Sequence, residues 1–276
     1  MFGILLATAS SACNELSDSI SKRKITDGVA SYYTLGFLSV LFGTVVLMLI
    51  GIWRHDFIFS LASLPTFIPR VFLEVLQAHV SILAIVKADR SDYGPIRTLT
   101  IPLLLVVDVV LDYSVTPIQM VGVGIIFVTV FLLLFYERFH AKGLFLVLFT
   151  AVNAVATLSL YKYDITHFNS VETEQVLVKL VLLIYFFVLA VVVARENPFT
   201  FLRKRAFLAQ ASASGFASSF ASYAYVFAPA SVITAALRAT AVLFSVVSGK
   251  FYFKEKHILI KVLAVCGVLV GLFLLL

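Results

Sequence analysis

Residues 228–276, APASVITAALRATAVLFSVVSGKFYFKEKHILIKVLAVCGVLVGLFLLL, restrict the possible folds more than any other stretch of the chain. They hold two apolar runs of about 20 residues, the length a helix needs to cross roughly 30 Å of hydrocarbon. A short basic connection, Lys250 to His257, separates the runs. Such a segment reads as a helical hairpin in lipid. Arg238 lies a turn or two into the first run, and the second carries Gly267 and Gly271, four apart on one face. That spacing lets two helices approach closely in a solvent that gives no hydrophobic reward for association.

The remaining chain is of the same kind. At 61% hydrophobic and 13% charged residues, with mean hydropathy +1.05, its 276 residues fall outside the range of soluble domains. The net charge of +6 therefore points to Lys and Arg gathered in short loops on one side of a membrane, not to a nucleic-acid surface. Cys13 and Cys266 both lie within apolar runs and read as small packing residues, so no disulfide is expected. The first apolar segment has no basic stretch before it and is followed by further spans, which reads as a retained helix and not a cleaved signal.

Apolar runs and their breakers give ten helices, at roughly 2–20, 28–52, 66–86, 94–113, 117–136, 142–161, 174–194, 205–227, 230–250 and 257–276. The expected fold is all-α and polytopic. Pro65, Pro95, Pro117, Pro198 and Pro229 stand near run ends, where proline is tolerated. Pro102 stands inside the fourth run and predicts a break there.

The second half echoes the first. Asn14 and Arg23 match Asn153 and Lys162 at an offset of 139, Arg97 matches Arg238 at 141, and Asp112 and Gly124 match Glu255 and Gly267 at 143. Two five-helix units, 1–138 and 139–276, follow from this. Five is odd, so the second unit must insert upside down relative to the first, an arrangement typical of secondary transporters.

The order Ala-Pro-Ala-Ser-Val before a helix, then Arg238, Glu255 in the connection and a glycine-bearing last helix, resembles the end of an EamA-type repeat of the drug/metabolite transporter superfamily. The resemblance implies a substrate cavity surrounded by helices 1, 3, 4, 6, 8 and 9, with helices 5 and 10 bracing the outside. It implies export of amino-acid-like solutes or drugs as the commonest role. Basic residues concentrate in odd-numbered connections (Lys22, Arg23, Lys24, Arg138, Lys142, Arg203, Lys204, Lys254 and Lys256 among them), which puts those connections in the cytoplasm and both termini outside. Many ten-helix members of that superfamily are thought to keep their termini cytoplasmic, and this sequence departs from that pattern. Its compact loops point to a prokaryotic inner membrane.

Polar groups inside the runs are the candidate site, because each charge near the centre of a membrane helix costs about 2.5–3.5 kcal/mol unless it meets a partner or water. Asn14, Glu15 and Asp18 form an edge on helix 1 suited to a coupling proton or cation; pairing of the acids with Lys22 or Arg23 at the surface is the alternative. Arg70, Glu74, Gln77 and Ser81 form one stripe on helix 3, in which Arg70 and Glu74 can neutralise each other and Gln77 can both donate and accept. Arg97 and Arg238 occupy matching places and can hold an anionic group of a substrate or lock a gate; snorkelling to headgroups is the alternative. Asp108 needs a partner across the bundle, for which Lys179 is available. Asn153 and Tyr223 complete the set, and the serines of helix 8 read as packing residues.

The sequence carries no zinc-binding pair on a helix, no phosphate-cradling glycine loop and no nucleophile elbow. No enzymatic activity, cofactor, metal or nucleic-acid partner is expected. The expected partners are a small-molecule substrate and membrane lipids, with the chain a monomer or homodimer. Exchange of phosphorylated or nucleotide-linked sugars is an alternative substrate class. A non-transporting scaffold assembled through the Gly267/Gly271 face is an alternative of another kind.

Overall fold

The computed structural model describes residues 1–26, 28–87, 99–135, 144–251 and 258–275. Among them are ten α-helices and no strand: α1 (Phe2–Thr26), α2 (Tyr32–Arg54), α3 (Leu64–Lys87), α4 (Thr100–Val110), α5 (Pro117–Phe135), α6 (Leu144–His167), α7 (Val171–Val188), α8 (Arg205–Phe227), α9 (Ala230–Phe251) and α10 (Ile258–Leu275). A π-helical turn, Leu189–Val193, extends α7. Arg97 and Glu255 lie outside the described residues.

Two local expectations need correction. Pro102 falls in the first turn of α4, where its missing N–H would have had no partner within that helix, so it marks a start and not a break. α7 begins three residues before the expected 174. Ser170 caps it by accepting from the Thr173 N–H at 3.3 Å, and Glu172 and Glu174 occupy the first turn, where carboxylates suit the positive end of the helix dipole.

Among the described residues three helices, Tyr32–Arg54, Phe145–His167 and Val171–Val193, are long and apolar enough to cross a membrane. The distribution of side chains is compatible with a membrane protein. Leu49, Leu132, Phe145, Val192 and Phe273 are exposed, whereas Arg70, Asp108, Asp164, Glu172 and Glu174 are buried, the reverse of a soluble surface.

α9 lies deepest. Ala230 to Ala236 are all buried, and α1, α4, α5 and α10 pack around the helix. α8 packs on α1 and α2, and α3 on α6. α5 and α10 meet through the expected glycines: a Cβ at Gly271 would lie 2.4 Å from Ile126 Cγ1, and one at Gly267 2.6 Å from Thr129 Oγ1. The Gly267/Gly271 face is therefore covered by α5 of the same chain, which removes the premise of assembly through it.

α2 and α7 are tied at both ends. Glu196, after α7, accepts from the Ser31 N–H at 3.0 Å and the Ser31 hydroxyl at 2.7 Å at the start of α2. Ser170, at the start of α7, donates from its hydroxyl to the Asp56 carbonyl at 2.8 Å, just past α2, and from its N–H to Ile58 O at 3.0 Å. Each helix start meets the other helix's end, so the two run antiparallel. Ser31 caps α2 through the Thr34 N–H as Ser170 caps α7 through Thr173; α2 ends on the left-handed His55 (φ 52°), and a left-handed residue, Arg195 (φ 56°), follows two positions after the π-turn that extends α7.

Candidate functional site

The ends of α2, α6 and α8 and the start of α7 enclose a cleft of about 410 Å³. Its polar wall centres on Glu172, which is buried and accepts from the Tyr223 hydroxyl at 2.5 Å and from Arg54 Nη1 at 3.2 Å. Asp56 flanks Arg54 at 3.4 Å. A carboxylate taken from water is tolerable only with such donors, and here a cation and a phenol supply them.

Behind this wall a ladder of charge continues into the bundle along α3 and α7. Arg70 is buried against Glu174, whose other oxygen accepts from Asn169 Nδ2 at 2.6 Å. Its guanidinium lies over the Tyr161 ring, 4.5 Å from the centroid. The expected pairing of Arg70 with Glu74 is thereby displaced: that contact is 3.9 Å long and secondary. Glu74 acts instead on Lys179 of α7, which donates to Ser218 Oγ of α8 at 3.3 Å. The stripe on α3 is thus answered mainly from α7, because i,i+4 proximity does not prevent a buried arginine from taking the better-desolvated carboxylate.

Gln77 and Asn153 come together across α3 and α6. Asn153 Nδ2 donates to Gln77 Oε1 at 2.8 Å and to Leu73 O at 2.9 Å, while Gln77 Nε2 donates to Thr150 O at 3.2 Å. These bonds clamp the two helices together.

Asn14 and Asp18 are exposed and Glu15 is half-buried. By helical periodicity Asn14 and Asp18 share the face of α1 that carries buried Ile4, Ala7 and Ser11, opposite the exposed apolar Leu5 and Leu16. Their exposure is on the bundle side of α1. Arg238 is half-buried in α9, next to buried Ala239, and acts electrostatically on Tyr225.

Asp108 does not meet Lys179. Its carboxylate reaches from α4 to the start of α9, accepting from the Ala230 N–H at 3.3 Å and the Ser231 N–H at 2.6 Å. Lys162 lies near enough to act on it and donates to Tyr225 O. Asp108 therefore caps a helix belonging to the opposite half of the chain.

Glu172, Glu174, Asp164 and Asn169 are absent from the sequence-derived set. The run Asn169-Ser170-Val171-Glu172-Thr173-Glu174 contains a capping serine followed by first-turn acids, a helix-start signal that could have moved Glu172 from the preceding loop into α7 and set Glu174 in its first turn. The serines of α8 behave as packing residues: Ser212, Ser219 and Ser222 bond to carbonyls four residues back.

Fold and site together define an all-helical protein with an apolar exterior and a buried ionic network, compatible with a membrane location. No protein family matches the sequence, and no curated protein does so. Among solved structures, a crystal structure described only as that of a protein superposes with a TM-score of 0.75 over 99% of this chain and 97% of its own, at 14% identity. This likeness establishes that the fold is one already seen, and nothing more.

Proposed function

We propose that the chain is a secondary transporter of small polar or amphipathic metabolites, in which the five-helix halves 1–138 and 139–276 are inserted in opposite senses and rock about a central cavity. The observation that carries this reading is the reciprocal tie of α2 and α7. Ser31 and Ser170, 139 residues apart, make the same cap, and each helix start is bound to the segment just past the other helix. The packing supports it further: exchanging each helix for the one five places on turns α1 on α8 into α6 on α3, and α1 on α9 into α6 on α4, both of which occur. The pairs α2 with α7, α4 with α9 and α5 with α10 map onto themselves.

A solute would be received between the halves, where Asn14, Glu15, Asp18 and Arg238 lie on bundle-facing or interior positions, with Glu74, Gln77, Asn153 and Tyr223 on the facing helices. By the charge bias, the cleft at Glu172 and Tyr223 opens on the non-cytoplasmic side. Export of amino-acid-like solutes or drugs is the role that the resemblance favours.

The test is flux. Purified protein in liposomes, screened against a panel of labelled amino acids, amines and sugar phosphates, is expected to move at least one of them. Arg238→Ala is expected to abolish that movement while leaving the melting temperature within a few degrees. Unchanged flux in Arg97→Ala, Arg238→Ala and Glu15→Gln alike would remove the site assignment, and absence of flux for every solute would remove the transporter.

A further inference from the structure

α1 and α8 run antiparallel in one register. A Cβ on Gly3 would lie 3.1 Å from Ala224 O, Ser10 Oγ donates to Ala217 O at 2.7 Å, and Gln210 Nε2 donates to Ser17 Oγ at 3.1 Å. Each step of seven residues along α1 is answered by seven back along α8, as in helices packed through a heptad. The next step reaches the basic end of the pair. There Lys22 of α1 stands level with Arg205, the first residue of α8, and Arg23 and Lys24 stand level with the Arg203–Lys204 connection just before it.

Arg195 begins the same connection. Residues 17–27 and 195–205 hold seven bases against three acids, Asp18, Asp27 and Glu196, and so carry four of the chain's six net positive charges. Glu196 directs its carboxylate to Ser31 and Thr34 at the start of α2. The ion pairs among the described residues lie elsewhere, on Arg54 and Arg70. Arg195, Arg203, Lys204 and Arg205 are all exposed. Cations held side by side repel one another, and an anion placed among them relieves that repulsion.

The surroundings select the kind of anion. Exposed apolar side chains border the bases: Val192 and Val193 before Arg195, Phe199 within the connection, and Leu208 one turn on from Lys204. Lys204 carries its ammonium over the Phe201 and Phe207 rings, 5.0 and 5.8 Å from their centroids, with its stem on apolar surface and its charge at the edge. Bases bordered in this way match a phosphate that carries acyl chains, whereas a soluble anion leaves the apolar border unused.

We propose that this end of the α1–α8 pair binds an anionic phospholipid, its phosphate between the basic end of α1 and the Arg203–Arg205 run and its chains against Val193, Phe199 and Leu208. α1 belongs to the first of the two proposed halves and α8 to the second, so the lipid joins them. By the charge bias this end faces the cytoplasmic leaflet, whose surface is anionic. The inference needs the chain to lie in a bilayer and does not need it to move a solute.

Binding to the full chain in an uncharged detergent tests this. Dioleoyl phosphatidylglycerol, dioleoyl phosphatidylcholine and glycerol 3-phosphate are added in turn, with bound lipid counted by native mass spectrometry and stability followed by thermal melting. Phosphatidylglycerol is expected to be retained and to raise the melting temperature; the other two are expected to do neither. Arg203→Gln, Lys204→Gln and Arg205→Gln combined should weaken retention about 100-fold, roughly fivefold for each base. Lys22→Gln with Lys24→Gln approaches the same phosphate from α1, should weaken retention likewise, and serves if the first variant does not fold. Lys254→Gln with Lys256→Gln, in the connection before α10, should leave it unchanged. Equal retention of the two lipids, equal stabilisation by glycerol 3-phosphate, undiminished retention in the first two variants, or an equal loss in the third overturns the proposal, whatever the flux measurements give. Retention that follows the bases of α1 and α8 upholds it even if no solute is moved.

Discussion

Ser31 and Glu196 are bonded across 165 residues of chain: the glutamate accepts from both the N–H and the hydroxyl of the serine that caps α2. Thr34 adds a further hydroxyl donor to the same carboxylate. Partial burial works against the charged form, but the three donors outweigh it and hold the Glu196 carboxyl below its ordinary value of 4.5. A depressed folded value means that the unfolded chain takes up the proton first. The stabilisation is therefore fully present above 4.5 and disappears as pH falls through the lower folded value. Glu196→Gln removes that dependence, so wild-type and variant melting temperatures should differ at pH 7 and converge in acid. A constant difference over the whole range would mean that the bonds do not depend on the charge.

Arg70 and Glu174 are both buried, so the value of their ion pair lies mainly in what its absence leaves behind. Removing one partner strands a charge in an apolar interior, at a cost of about 3–5 kcal/mol, whereas replacing both by apolar residues of similar volume is often nearly neutral. Glu174→Leu alone is expected to lower the melting temperature sharply. Arg70→Met with Glu174→Leu should recover most of that loss. Chemical or thermal unfolding of the two variants in one detergent distinguishes the cases, and additive losses would contradict the pairing.

How much of this was legible in the sequence differs between levels. Helix positions were, because apolar runs and proline boundaries are local properties; the start of α7 is set by the capping serine Ser170 and not by the apolar run, which begins later. The Gly267/Gly271 face was legible as a close-approach surface, but its partner was not: spacing defines a face, and several helices could have covered it. The same limit explains Arg70. Its neighbour four residues on is visible in the sequence, whereas Glu174 is 104 residues away and reaches it only through the packing of α3 on α7. Asp108 was recognisable as a buried charge needing a partner, and two backbone N–H groups in place of a lysine are something no side-chain inventory reveals.

Gly271 tests the α5–α10 contact. A Cβ there would meet Ile126 Cγ1 at 2.4 Å and Gly122 O at 3.1 Å, distances that require the helices to part. Overpacking of this kind costs about 1–3 kcal/mol. Gly271→Leu should destabilise by at least that much, while Gly124→Ala, with nothing within 4 Å of its new methyl, should be neutral or slightly stabilising. Equal melting temperatures for the two variants would place α10 elsewhere.

Asp108 provides a sharper distinction, between a helix cap and a ligand for solute. Its two oxygens receive the Ala230 and Ser231 N–H groups, which at the start of α9 have no carbonyl partners within the helix. Asp108→Ala leaves two buried donors unsatisfied, each worth about 1–3 kcal/mol. Asp108→Asn retains one acceptor oxygen and gives up the charge that favours a helix N-terminus. Stability should therefore fall in the order wild type, Asn, Ala. If Asp108 served solute and not α9, both variants would lose flux equally and melt with the wild type. The graded loss of melting temperature is the expected result, because the carboxylate already spends both oxygens on the backbone of the helix that lies deepest in the bundle.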